Sequence, residues 1–195
     1  LHRGRPVRRF GLIDRPLDLR FVAVPTTAGT GSEVGRGAVI VLEDGPPCNC
    51  GARGCLEALS SGVAIYKRVE EAAAVGRVSP AVREFLSDPI SFSAEALGRH
   101  ADAGDALARE IFAAAGHHLG TGIASLVNIF NPDAVTLSGG LLGCLHHMEG
   151  PMRDAFERTA IPISRDHVRI LRSTLGDDGG TLGAALLARE GLTAG

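Results

Sequence analysis

The chain has 195 residues, 45% hydrophobic and 22% charged, with a formal net charge of −2. That length suffices for one domain with a sizeable core, and the near-neutral balance supplies no basic field to draw nucleic acid. No apolar run approaches the roughly 20 residues that span a bilayer, the N-terminus has no signal-peptide layout, and reduced cysteines then fit a cytoplasmic protein.

Residues 1–20 carry Arg3, Arg5, Arg8, Arg9 and two prolines. They read as a solvated arm, with an anion-binding patch as the alternative. Residues 21–24 form a short apolar run ended by Pro25, the pattern of a buried strand. Residues 26–32 are small, hydroxylated or glycine, and such a loop can present N–H and hydroxyl donors to phosphate. Residues 37–43, GAVIVLE, are β-branched enough to predict a second strand, closed by the Asp44-Gly45 turn.

The densest chemistry follows. Cys48, Cys50 and Cys55 stand in the order C-x-C-x4-C. Thiolates are soft ligands that suit Zn²⁺. Gly45, Gly51 and Gly54 allow the backbone to turn each sulfur toward one centre, and C-x-C spacing makes a poor disulfide. Inert buried thiols are the other reading. A structural zinc takes four ligands, and this motif supplies three. Glu57 begins a helical pattern, which places its carboxylate beside the knuckle or, more simply, in a first turn that favours negative charge.

Leu56, Leu59, Val63, Tyr66, Val69 and Ala73 recur at helical spacing and predict one continuous amphipathic helix. Ser79-Pro80 and Asp88-Pro89 read as helix starts, with a capping side chain before a first-turn proline. His100 reads as an exposed residue at a helix end. Asp105 caps a long helix whose apolar stripe comprises Leu107, Ile111, Ala114, His118, Ile123, Leu126, Val127 and Phe130. Gly116, Gly120 and Gly122 each cost that helix about 1 kcal/mol of propensity and predict close approach by a neighbouring element or by nucleotide. His117 and His118, about 100° apart on a helix, are not expected to share a metal. Asn131-Pro132-Asp133 ends the helix. Residues 134–137 make a buried strand, and Ser138-Gly139-Gly140 is a turn able to set backbone donors against a phosphate. Cys144, His146 and His147 read as a surface helix face, as do residues 151–160. Residues 168–171 alternate as a strand, and residues 176–180 turn into a last helix.

Three of these stretches together resemble one family. The run CNCGARGCLEALSSG is similar to the signature of the ROK family of sugar kinases and sugar-responsive repressors. Residues 119–142 and 175–188 resemble its long helix with the following strand and glycines, and its closing helix. The opening LHRGR also resembles a short ROK segment.

The resemblance implies an α/β fold, the C-terminal lobe of an actin-like (ribonuclease-H-like) ATPase domain. It divides the chain into residues 1–36, of mixed resemblance, and a ROK-type lobe over residues 37–195. It implies ATP-dependent phosphorylation of a hexose, glucokinase-like, using Mg-ATP and a structural Zn. By the same resemblance Glu33 and Glu57 would contact the sugar, Gly139 and Gly140 the nucleotide, and Cys48, Cys50 and Cys55 the zinc. Hexose and ATP are the implied partners, with no nucleic acid or membrane, and a homo-oligomer is left open.

Two departures matter. Arg36 stands where the family has a histidine that binds sugar and zinc, and the gap to Cys48 is about two residues longer than usual. Realignment puts Ala38 there instead. A guanidinium has no lone pair to give a metal. Further, the family's phosphate-binding aspartate strand and its Asn-Asp general base have no match, and Asp14 and Asp18 lie in an unmatched region. Impaired turnover is therefore expected of these residues alone, and a non-catalytic sugar-binding or repressor-like remnant is the second reading. Residues 21–35 locally resemble the cofactor loop of iron-containing alcohol dehydrogenases. The metal ligands of that family have no counterpart downstream, so an NAD-binding fragment is the third reading.

Overall fold

The computed structural model describes residues 44–175, the backbone of the strand Phe21–Pro25, and residues 181 and 185. The expected arm, the expected loop at residues 26–32, Glu33, Arg36, Ala38, the expected strand at residues 37–43 and the expected turn at residues 176–180 lie outside the described residues, as does most of the expected last helix.

Among the described residues, three strands form a parallel sheet in the order β1 (Phe21–Pro25), β2 (Ala134–Ser138), β3 (Arg169–Arg172). Phe21 pairs with Ala134 and Pro25 with Ser138; Ala134 pairs in turn with Arg169. Ala134, Val135 and Leu137 of the central strand are buried, as a strand covered on both faces of a parallel sheet should be.

Helix α5 (Ala106–Phe130) is the axle of the described chain. It packs along α6 (Leu145–Thr159) and receives α1 (Leu56–Ser60), α2 (Gly62–Ala74) and α4 (Ala94–Asp102). α3 (Pro80–Ser87) packs on α2 and α4, and the short α7 (Pro162–Arg165) leads into β3. Ile65, Val69, Leu97, Phe112, Leu119 and Ile123 are buried in the shared core with Met148 and Met152.

The α5–α6 contact explains two of the three costly glycines. A Cβ on Gly116 would collide with the Met148 carbonyl oxygen and lie 3.0 Å from its Cα. On Gly120 it would meet the Met152 carbonyl and lie 2.9 Å from Ala155 Cβ. The missing side chains therefore set how closely the two helices approach.

Asp105 caps α5 as expected, accepting from the N–H groups of Leu107 and Ala108 at 2.9 and 3.3 Å. Its second oxygen accepts from Ala81 N at 2.9 Å, which ties the start of α3 to the start of α5. Asn131, at φ 42°, ends α5 in the left-handed conformation that asparagine tolerates better than most residues.

Several expectations require correction. The helix expected from Leu56 is broken at Ser61, whose hydroxyl accepts from Ala64 N and caps α2. Its inner face is Ala64, Ile65, Val69 and Ala72, while Val63 is exposed. Asp88 starts no helix; it closes α3 and turns the chain by accepting from Ser91 N, and Ser93 caps α4. His100 does end a helix, but its side chain is only 18% exposed and lies 2.7 Å from Glu84 of α3. Phe130 is exposed. The helix expected at residues 151–160 begins at Leu145 and buries Met148, Met152, Ala155 and Phe156 against α5. Cys144 is buried, its Sγ pressed toward Gly98 of α4.

Candidate functional site: a cysteine knuckle

Residues 46–55 fold back on themselves. Pro47 and Arg53 form an antiparallel bridge, with Cys48 N donating to Ala52 O at 2.9 Å and Gly54 N to Pro46 O at 2.8 Å. Gly51 at φ 91° and Gly54 at φ 64° take conformations that a side chain would strain. These two turns bring the sulfurs together.

The Sγ atoms of Cys48, Cys50 and Cys55 all lie within 4.8 Å of one another, and Cys50 and Cys55 are 3.5 Å apart. All three are free thiols. Sulfurs held at about 2.3 Å from a tetrahedral Zn²⁺ are separated by about 3.8 Å. The three thiols therefore fit three of the four positions of such a site.

Their chemistry is graded by depth. Cys55 is buried at the N-terminus of α1. Burial, followed by the neighbouring sulfurs, pushes its thiol up to about 12. Cys50 is exposed; the Ala52 backbone, then the Cys55 and Cys48 side chains, hold its thiol below the usual range. Cys50 thus ionises before Cys55, which stays protonated unless a cation sits beside it.

Glu57 projects from the first turn of α1 with its Oε2 3.9 Å from Cys48 Sγ. The carboxylate thus stands beside the sulfurs. Ser60, three residues on, donates to the Ala115 carbonyl at 2.8 Å. This bond fixes α1, and with it the knuckle, to the middle of α5.

Gly139 and Gly140 lie apart from this cluster in the fold's connectivity. They follow the C-terminal end of β2, with Gly139 at φ 116° and a short 3₁₀ helix (Gly140–Cys144) leading into α6. The carboxyl ends of parallel strands are where open α/β sheets receive ligands. Glu33 lies outside the described residues.

The family profile described as "ROK family" matches residues 25–191. The chain belongs to the ROK family. It is 33% identical over 83% of its length to a glucokinase of Thermotoga maritima, covering 50% of that protein. It is 28% identical over 82% of its length to the DNA-binding transcriptional repressor Mlc of Escherichia coli, covering 38% of it. The crystal structure of a ROK family glucokinase from Streptomyces griseus in complex with glucose and AMPPNP superposes with a TM-score of 0.64 at 29% identity. That match covers 77% of this chain and 49% of that one. The ROK chain described here thus spans half or less of the relatives it matches, and carries a partial, C-terminal-lobe portion of their actin-like ATPase fold.

Sequence reasoning missed one group. Asp102, at the end of α4, sits with His146 and His147 of the first turn of α6, their ligand atoms within 4.8 Å of one another. In sequence the two histidines read only as a surface helix face; His146 is exposed and the His147 side chain is mostly covered. Asp102 is 44 residues from His146, and nothing in local spacing marks the pair.

Proposed function

We propose that this chain forms the sugar-side lobe of a ROK-type, glucokinase-like protein that phosphorylates a hexose with ATP. The observation that carries the reading is the convergence of Cys48, Cys50 and Cys55 beside Glu57. In this reading the three thiols hold a structural Zn²⁺ that fixes the shape of the loop, with residues 37–195 as the ROK-type lobe. Rigid attachment of α1 to α5 then keeps Glu57 where its carboxylate accepts hydrogen bonds from sugar hydroxyls, with Glu33 as a second acceptor. The Gly139-Gly140 turn, free of side chains at the end of β2, presents backbone donors to the nucleotide. Mg-ATP, when bound, supplies the phosphoryl group, and catalysis is chiefly positioning and charge stabilisation. Free thiols at four of four cysteines suit a reducing, cytoplasmic setting.

The similarity to the Mlc repressor favours a second reading, sugar binding without phosphoryl transfer. Calorimetry separates the two. Glucose binding that Glu57→Gln abolishes, together with AMPPNP binding, supports the kinase-type lobe. Glucose binding without AMPPNP binding supports the repressor-type lobe. No binding of either removes both readings for residues 1–195.

A further inference from the structure

We propose that Asp102, His146 and His147 form a second metal site, separate from the cysteine knuckle and suited to a divalent first-row cation such as Ni²⁺ or Zn²⁺. His146 Nε2 lies 3.1 Å from Asp102 Oδ1, and His147 Nε2 lies 3.0 Å from the same oxygen. Ligand atoms held 2.0–2.2 Å from a metal at angles of 90–109° are separated by about 2.9 to 3.5 Å. Both measured distances fall inside that window. The two imidazole rings are 3.9 Å apart, close enough for both to turn a nitrogen to one centre although they are neighbours in sequence.

Hydrogen bonding alone accounts poorly for this arrangement. His146 is aligned with Oδ1 as a hydrogen-bond partner. His147 Nε2 is close to the same oxygen but lacks hydrogen-bond alignment with it, and that buried nitrogen has no hydrogen-bond partner. A buried polar atom left in this state is costly. A cation placed between the three ligand atoms uses the lone pair of each nitrogen, with each ring's proton on Nδ1. It also answers the charge of Asp102, a carboxylate at the C-terminal end of α4, where the helix dipole disfavours a negative group.

The surroundings fix one side of the site and leave the other open. His147 is held by stacking on Phe112 of α5, with ring centroids 5.3 Å apart. Asp102 and His146 are 61% and 57% exposed, so water can complete the coordination shell. Imidazole and carboxylate donors suit Zn²⁺, Ni²⁺ and Cu²⁺. A bound ion would clamp the end of α4 to the start of α6, the helix that packs along α5.

Calorimetric titration of the full chain with Ni²⁺ under reducing conditions tests the site. The wild-type chain is expected to show one binding step that His146→Gln, an exposed substitution, abolishes or weakens at least tenfold. That step should persist in Cys48→Ser, and the rise in Tm on adding Ni²⁺ should be smaller in His146→Gln than in wild type. Asp102→Asn should weaken the same step. Indistinguishable Ni²⁺ isotherms for wild type and His146→Gln would overturn the proposal, as would loss of the step in Cys48→Ser but not in His146→Gln.

Discussion

The Ser60 hydroxyl donates to the Ala115 carbonyl across 2.8 Å, in the buried contact between the helix that leaves the knuckle and the longest helix of the described chain. Through this bond the position of Glu57 and the sulfurs depends on α5. Ser60→Ala removes one buried hydrogen bond while Ala115 keeps its helical environment, so the expected loss is about 1 kcal/mol. Urea denaturation measures it. The same variant should bind glucose more weakly than wild type, because α1 loses its anchor.

Gly120→Ala should destabilise the fold although alanine is the better helix former. The added methyl gains about 1 kcal/mol of propensity but meets the Met152 backbone and Ala155 Cβ. Overpacking of this kind costs about 1 to 3 kcal/mol or more, and here the obstacle includes backbone. Gly62→Ala, at the start of α2, meets nothing within 4 Å. It should therefore stabilise, by about 0.5 to 1 kcal/mol. The opposite signs of the two substitutions, read from thermal melts, test the α5–α6 packing.

Asp105 links pH to stability. Burial works against its charge, but the N–H groups of Ala81, Ala108 and Leu107 and the Ser79 hydroxyl outweigh it and hold the carboxyl below its ordinary range. A group whose folded pKa is depressed stabilises the fold above its unfolded value, near 3.9 for aspartate, and loses that contribution as pH falls through the folded value. Asp105→Ala should cost about 2 kcal/mol at pH 7, from a lost cap and an abandoned Ala81 N–H. The gap between wild type and Asp105→Ala should narrow as the pH falls below about 4, measured by urea titration across pH.

Legibility in the sequence followed locality. The Asp105 cap, the Asn131-Pro132 stop, the strand at residues 134–137 and the converging cysteines were each written in a few adjacent residues. The break at Ser61 was hidden because an apolar period runs through it, and only the hydroxyl's bond to Ala64 N decides for a cap. His100 and Glu84, sixteen positions apart, and Asp102 with His146, forty-four apart, meet only after α3, α4 and α6 have packed. Side chains whose partners come from another helix carry no local periodic signal, so neither the covered His100 nor the exposed His146 shows its acidic partner in the sequence.

The central proposal is that the knuckle gathers its sulfurs around a metal although the family's histidine position falls on Arg36 or, with the gap realigned, on Ala38. The direct measurement is zinc content after purification under reducing conditions, comparing wild type with the Cys48→Ser, Cys50→Ser, Cys55→Ser triple variant. Wild type should retain about one more zinc per chain than the triple variant, given a site of three thiolate ligands plus one further group. Equal zinc content in the two proteins, with the wild-type thiols fully reduced, would contradict it.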